Sequence, residues 1–153
     1  MFNQILPRPV DNIYRGHKLA LWAFALLVLI KCAIGVNSIL NGHFVASSAD
    51  GMPLDAFGEA GAQAVVSLFA IWGLSQLIIC LLCLLVLGRY RSLVPLMFSL
   101  LLLEHLGRKL ILHFLPIAKT GTPPGSVVNL VLLGLMVCGL ALSVWNSSDR
   151  KNQ

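Results

Sequence analysis

Five polar side chains lie inside stretches of this sequence that are otherwise apolar. They are Lys31, Gln76 and a closely spaced group formed by Glu104, His105 and Arg108. A lysine, arginine or aspartate at the centre of a bilayer costs ~2.5 to 3.5 kcal/mol on insertion scales, so such a residue needs a compensating partner. A buried group of this composition can bind an anionic or strongly hydrogen-bonding ligand, or it can move a proton.

These side chains share one level if the apolar stretches are helices that cross a membrane. Counted from the edge with the basic flanks, Lys31, Gln76, Glu104 and His105 lie roughly 17 to 18 Å deep at about 1.5 Å per residue. Arg108 follows Glu104 by one helical turn on the same stripe. Two asparagines at the depth of Arg108 extend the polar path outward. The complete candidate site is Lys31, Gln76, Glu104, His105, Arg108, Asn37 and Asn129.

The elements that must position this site follow from composition. Of 153 residues, 58% are hydrophobic and 11% are charged, whereas soluble domains are about one quarter charged. The four apolar runs span residues 19–40, 65–87, 93–115 and 127–145. As helices they reach roughly 28 to 35 Å, enough to cross the ~30 Å hydrocarbon layer. We therefore predict an all-α, four-helix bundle that forms one membrane domain over residues 1–153, with the lipid bilayer as its solvent.

Lysine and arginine in the flanks predict the orientation. They occur before the first run, between the second and third runs, and after the fourth, at Arg8, Arg15, Lys18, Arg89, Arg91, Arg150 and Lys151. The opposite flanks carry Asp50, Asp55 and Glu59, with Lys119 as the one basic residue. The positive-inside rule places both termini in the cytoplasm. The layout resembles that of many small four-helix bacterial inner-membrane proteins, which implies that location.

The third run is the most polar of the four. Glu104 and Arg108 lie on one stripe of the predicted helix, and His105, Lys109 and His113 lie on the adjacent stripe. Because lipid could not face so polar a helix, we predict that this run is the most enclosed and that the bundle is built around it. Its predicted apolar contacts are Leu93, Leu100, Leu103 and Leu110.

The charged group has two interpretations. In the structural one, Glu104 pairs with Lys31 across helices and with Arg108 along its own helix, and Lys109 reaches about 6 Å to the outer headgroups. In the functional one, a single carboxylate facing two cations leaves a positive charge that an anionic or polar small ligand, or a lipid, would neutralise. Loss of the Lys31 proton would resolve the imbalance equally well.

Other chemistry is disfavoured by position. The basic residues flank apolar runs rather than line one face, so no nucleic-acid partner is expected. All four cysteines lie inside apolar runs, and Cys80-Leu81-Leu82-Cys83 has no cysteine in the connections to which it could pass electrons. No metal-ligand spacing or phosphate-binding loop is present. Small residues that permit close helix approach, within the chain or in a homo- or hetero-oligomer, are Gly35, Gly73, Gly134, Gly139 and Ser143.

The function expected from these features is that of a non-enzymatic binding module or an accessory membrane subunit. The alternative is a proton-coupled small-molecule carrier or a membrane-embedded enzyme that uses Glu104 or His105. The sequence identifies no cofactor.

The orientation predicts a labelling pattern. In a background without native thiols, Asp55→Cys and Lys119→Cys should react with an impermeant maleimide added outside intact cells, and Arg89→Cys should not, because only the first two lie outside. A three-span protein would place the C-terminus outside instead. Labelling of Lys151→Cys from outside would establish three spans, and labelling of Arg89→Cys would reverse the orientation.

Overall fold

The computed structural model describes Ile5 and residues 10–117 and 119–145, and within these residues all regular structure is helical. Four long helices are present: α1 at Lys18–Leu40, α2 at Glu59–Arg89, α3 at Val94–Phe114 and α4 at Pro124–Trp145. The α1–α2 connection contains short helical segments at Gly42–Phe44, Val45–Ala49 and Leu54–Ala56, and Arg91–Leu93 precedes α3. Of the orientation signals, Arg8, Arg150 and Lys151 lie outside the described residues.

The predicted runs correspond to the four helices, with two early starts. The helix α2 begins at Glu59 rather than at residue 65, because the preceding residues are compatible with a helix and Glu59 suits its positive N-terminal end. The helix α4 begins at Pro124 rather than at residue 127, and proline is favoured in a first turn because its missing N–H has no helical partner there. The bounds of α1 and α3 agree with the prediction to within one residue.

Within the part of the chain that the structure describes, three helices rather than four are long and apolar enough to cross a membrane, by length and composition. These are α1, α2 and α4. The helix α3 has 21 residues, a sufficient length, but it carries Glu104, Arg108 and Lys109. The expectation that all four segments are apolar enough to cross a membrane is therefore wrong for α3. Its position beside the other helices is shown by packing contacts.

At one end of the molecule the α1–α2 and α3–α4 connections contact each other. The backbone N–H and the hydroxyl of Thr120 both donate to the carbonyl oxygen of Gly51, at 2.8 and 3.1 Å. Gly51 has a φ of +72°, which favours glycine, and Pro123 packs beside it. These contacts close this end of the bundle.

At the opposite end the segment before α1 holds the α2–α3 turn and the end of α4. The hydroxyl of Ser92 donates to the carbonyl oxygen of Asp11 at 2.7 Å, and the Tyr14 hydroxyl donates to Ser143 Oγ at 3.0 Å. Each long helix, α3 included, therefore runs between the same two ends of the molecule.

The central helix is α1, which packs closely against both α2 and α4, whereas α3 packs mainly against α4. The rings of Phe24 on α1 and Phe98 on α3 meet edge to face in the core, with centroids 5.1 Å apart. The prediction that α3 is the most enclosed helix is wrong. It is no more enclosed than α1, because its buried residues all lie between Val94 and His105 and none follows up to Phe114. Of its predicted contacts, only Leu93 packs at the core. The exposed ones are Leu100, Leu103 and Leu110.

Glycines set the distance between α1 and α2. Gly35 and Gly73 face each other, and a Cβ atom on Gly73 would lie 2.7 Å from the Gly35 carbonyl oxygen. On α4, Gly139 accommodates the ring of Phe98, while Gly134 has no neighbour within 4 Å of a Cβ position. Of the small residues in the sequence, Gly35, Gly73, Gly139 and Ser143 thus serve contacts within the chain.

Substitution at Gly73 tests this packing. Gly73→Ala should lower the free energy of unfolding by roughly 1 to 3 kcal/mol, because the added methyl group forces the two backbones apart. Gly88→Ala on the same helix, where nothing lies within 4 Å, should be neutral or slightly stabilising. The measurement is thermal unfolding in detergent, and equal midpoints for the two variants would contradict the close α1–α2 contact.

Candidate functional site

Lys31 is the most buried charged residue of the candidate site. It continues the buried stripe of α1 that includes Phe24, Leu27 and Val28, and its side chain is 3% exposed. Its ammonium group donates to Gln76 Oε1 on α2 and to Glu104 Oε2 on α3, both at 3.2 Å. One side chain of α1 thus joins α2 and α3 through a charge and two hydrogen bonds.

Glu104 is shared by two cations. Besides Lys31 it contacts Arg108, whose Nε lies 2.7 Å from Glu104 Oε1. That N–H does not point at a described acceptor, so this contact is an ion pair without a well-formed hydrogen bond. The side chains of Glu104 and Arg108 are 27% and 33% exposed, so the cluster is closed around Lys31 and open at Arg108. The pairings of Glu104 with Lys31 and Arg108 expected from the sequence are both present.

Gln76 connects the cluster to the α1–α2 interface. Its amide oxygen is held by Lys31, and its amide nitrogen lies 3.9 Å from the Cys80 sulfur. The Cys80 thiol in turn lies 3.9 Å from the Val28 carbonyl oxygen of α1. These sulfur contacts are weak, but they orient Gln76 so that its oxygen faces the ammonium group.

His105 is buried beside the cluster and is not hydrogen-bonded to it. The residue is 2% exposed, and neither ring nitrogen has a hydrogen-bond partner among the described residues. It lies within electrostatic range of Lys31, Glu104 and Arg108. Leaving a buried donor or acceptor unpaired costs about 1 to 3 kcal/mol, so His105 has bonding capacity available for a ligand or a proton.

The two asparagines do not join the site. Asn37 lies six residues after Lys31, a rotation of about 240° around α1, and its side-chain oxygen accepts from Asn41 on the same helix at 2.8 Å. Asn129 is half-buried on α4, and within the described part of the chain none of its hydrogen bonds reaches the cluster. The outward polar path predicted through these asparagines is therefore absent from the described residues. Two side chains at the same level along the helices need not point toward each other.

Two residues that the sequence did not predict for the site lie at or near it. Trp72, one turn before Gln76 on α2, lies under Arg108, with the guanidinium carbon 5.0 Å from the ring centroid in a cation–π contact. The i, i+4 spacing of Trp72 and Gln76 was a usable signal.

The second such residue is Asp50. Burial raises the pKa of its carboxyl above the ordinary value, and the nearby cations Lys119 and Arg108 oppose that rise. The side chain of Asp50 lies beside Gly125 in the first turn of α4, so the residue is near the cluster without a contact to Arg108. The sequence marks Asp50-Gly51 as a turn, and nothing in it indicates that this turn lies against the start of α4.

Comparisons with protein-family models, curated proteins and solved structures find no match for this chain. The geometry of the charged cluster is thus the basis on which its function can be argued.

The shared carboxylate predicts unequal effects of single substitutions. Glu104→Gln should cost about 3 to 5 kcal/mol, because it leaves Lys31 buried without a counterion and also deprives Arg108 of its partner. Lys31→Met should cost less, since Glu104 keeps Arg108. The double variant should be more stable than the sum of the single effects indicates.

Thermal unfolding in detergent measures this cycle. The control is the exposed pair of Arg15 and Asp11, whose charged atoms are 2.8 Å apart, and where Arg15→Met and Asp11→Asn should show a coupling of at most about 1 kcal/mol. Strict additivity at Lys31 and Glu104 would mean that their contact contributes nothing to folding.

Proposed function

We propose that this chain is a four-span protein of a bacterial inner membrane, with both termini in the cytoplasm, that acts as a non-enzymatic binding module or accessory subunit. Three apolar helices support the membrane location. The position of α3 between the same two ends as its neighbours supports a fourth span. The basic flanks Arg15, Lys18, Arg89 and Arg91 occur at the end held by the Asp11–Ser92 contact, which supports the orientation.

The internal pairing of charges supports placing α3 in the bilayer. Its one carboxylate, Glu104, meets Lys31 from α1, and Arg108 has both Glu104 and the face of Trp72. Polar residues within a membrane are tolerated where they face one another rather than lipid. Lys109, one residue further along α3, is exposed and can extend toward the outer headgroups.

The observation that carries the binding role is the sharing of Glu104. One carboxylate faces two cations, so Glu104 neutralises neither of them completely. Lys31 is buried, whereas Arg108 lies at the open side of the cluster. The site therefore suits an anionic or strongly polar ligand, either a small molecule or a lipid headgroup.

A second candidate function is that of a proton-coupled carrier or a membrane-embedded enzyme. The unpartnered ring nitrogens of His105, next in sequence to Glu104, favour it. In this case His105 and Glu104 exchange a proton as the ligand enters or leaves.

Binding at the cluster can be tested without knowing the ligand. The probes are a total membrane-lipid extract and an aqueous small-molecule extract of the cells that contain the protein. One of them should raise the thermal unfolding midpoint of the wild type saturably, because a ligand that binds the folded state stabilises it. The folded Lys31→Met, Glu104→Gln double variant should not respond.

The Arg15→Met, Asp11→Asn variant is the control, and it should respond as the wild type does. Equal responses of the wild type and the cluster variant would make the cluster purely structural. The proton-coupled candidate requires in addition that the response changes with pH, and that His105→Gln removes this dependence.

A further inference from the structure

The guanidinium group of Arg108 is fixed by contacts on two sides. Glu104 Oε1 lies 2.7 Å from its Nε, and the Trp72 ring lies beneath its carbon at 5.0 Å. These contacts come from α3 itself and from α2, so the planar group is oriented before any ligand arrives. A fixed guanidinium loses less conformational entropy on binding than a free one does.

The terminal nitrogens of Arg108 remain available. Its Nε is buried, so the 33% exposure of the side chain belongs to its other atoms. Within residues 10–117 and 119–145, no oxygen accepts a hydrogen bond from either terminal nitrogen. The helices α2 and α3 make few close contacts with each other, and Arg108 of α3 stacks on Trp72 of α2 at this contact. With 33% of its side chain exposed, Arg108 can be reached from outside the bundle between the two helices.

Two parallel N–H groups of an arginine match the oxygens of a phosphate. Arg108 lies one helical turn, about 6 Å, outward from Glu104, and is therefore the part of the charged pair nearer to the outer headgroup layer. An anion at this point would also neutralise the positive charge that Glu104 leaves when it is shared with Lys31.

We propose that Arg108 recognises a phosphate group that enters between α2 and α3. This rests on the proposed function and specifies its ligand. The phosphate belongs either to a phospholipid headgroup or to a free phosphate compound. Trp72 and Glu104 are positioning residues for the guanidinium group, and Lys31 holds Glu104 in place.

The test uses the full-length protein, purified in detergent and depleted of lipid. The probes are phosphatidylglycerol, phosphatidylcholine and inorganic phosphate, and native mass spectrometry and the thermal unfolding midpoint report binding. The wild type should bind phosphatidylglycerol saturably and more tightly than phosphatidylcholine. Arg108→Lys keeps the charge but loses the two parallel N–H donors of the guanidinium. Half-saturation should therefore require at least about tenfold more phosphatidylglycerol.

Lys109→Gln is the matched control. It removes one positive charge from the adjacent, exposed position of α3, and its binding should stay close to that of the wild type. If inorganic phosphate binds with the same dependence on Arg108 and the lipids do not, the phosphate comes from a free compound. Equal binding by the wild type and Arg108→Lys, or equal losses in Arg108→Lys and Lys109→Gln, would overturn the recognition of phosphate by Arg108.

The phosphate assignment and the underlying binding role can be refuted independently of each other. If a cell extract stabilises the wild type through the cluster and none of the three phosphate probes binds, the phosphate assignment is wrong and the binding role stands. If neither extract has any effect that depends on the cluster, the binding role itself is wrong. Unfolding midpoints of Arg108→Lys without ligand show whether a loss of binding reflects loss of the fold.

Discussion

The contact between the Lys31 ammonium and the Glu104 carboxylate, at 3.2 Å, determines how α1, α2 and α3 can be arranged. Lys31 could not remain without a counterion in an apolar interior, so the helix that carries it must meet the helix that carries Glu104 at this level. Gln76 brings α2 to the same point through its amide oxygen. The pair also explains how α3, with three charged residues along its length, can pack beside three strongly apolar helices.

The two sides of this cluster differ in packing. On the α1–α2 side, Gly35 and Gly73 let the backbones come close, and Lys31 is almost fully enclosed. On the α2–α3 side, the helices stay apart and the gap is crossed by the stacking of Arg108 on Trp72. A structural ion pair needs only the enclosed side. The open side, with an oriented arginine and a quarter-exposed carboxylate, is the feature on which the proposed binding role rests.

Charge balance within the cluster distinguishes Arg108 from Lys31. Glu104 is shared by both, so one carboxylate faces two cations. Lys31 is enclosed and also donates to Gln76, whereas the Arg108 side chain is 33% exposed. The proposed recognition of an anion at Arg108 rests on this unequal sharing.

The sequence by itself determined the four helical segments and the common level of Lys31, Gln76 and Glu104, because helix rise and run length fix position along an axis. It also predicted that Glu104 pairs with both Lys31 and Arg108. Only the tertiary structure decided how each helix is rotated about its axis and which helices are neighbours. It made α1 rather than α3 the central helix and turned Asn37 away from the cluster.

Trp72 entered the site for the same reason. Its approach to Arg108 depends on how α2 and α3 pack, which is set by contacts between residues that are distant in the chain. Helical periodicity places a side chain on a face, but it does not say which face of another helix lies opposite, since that is decided by the packing of all the helices together.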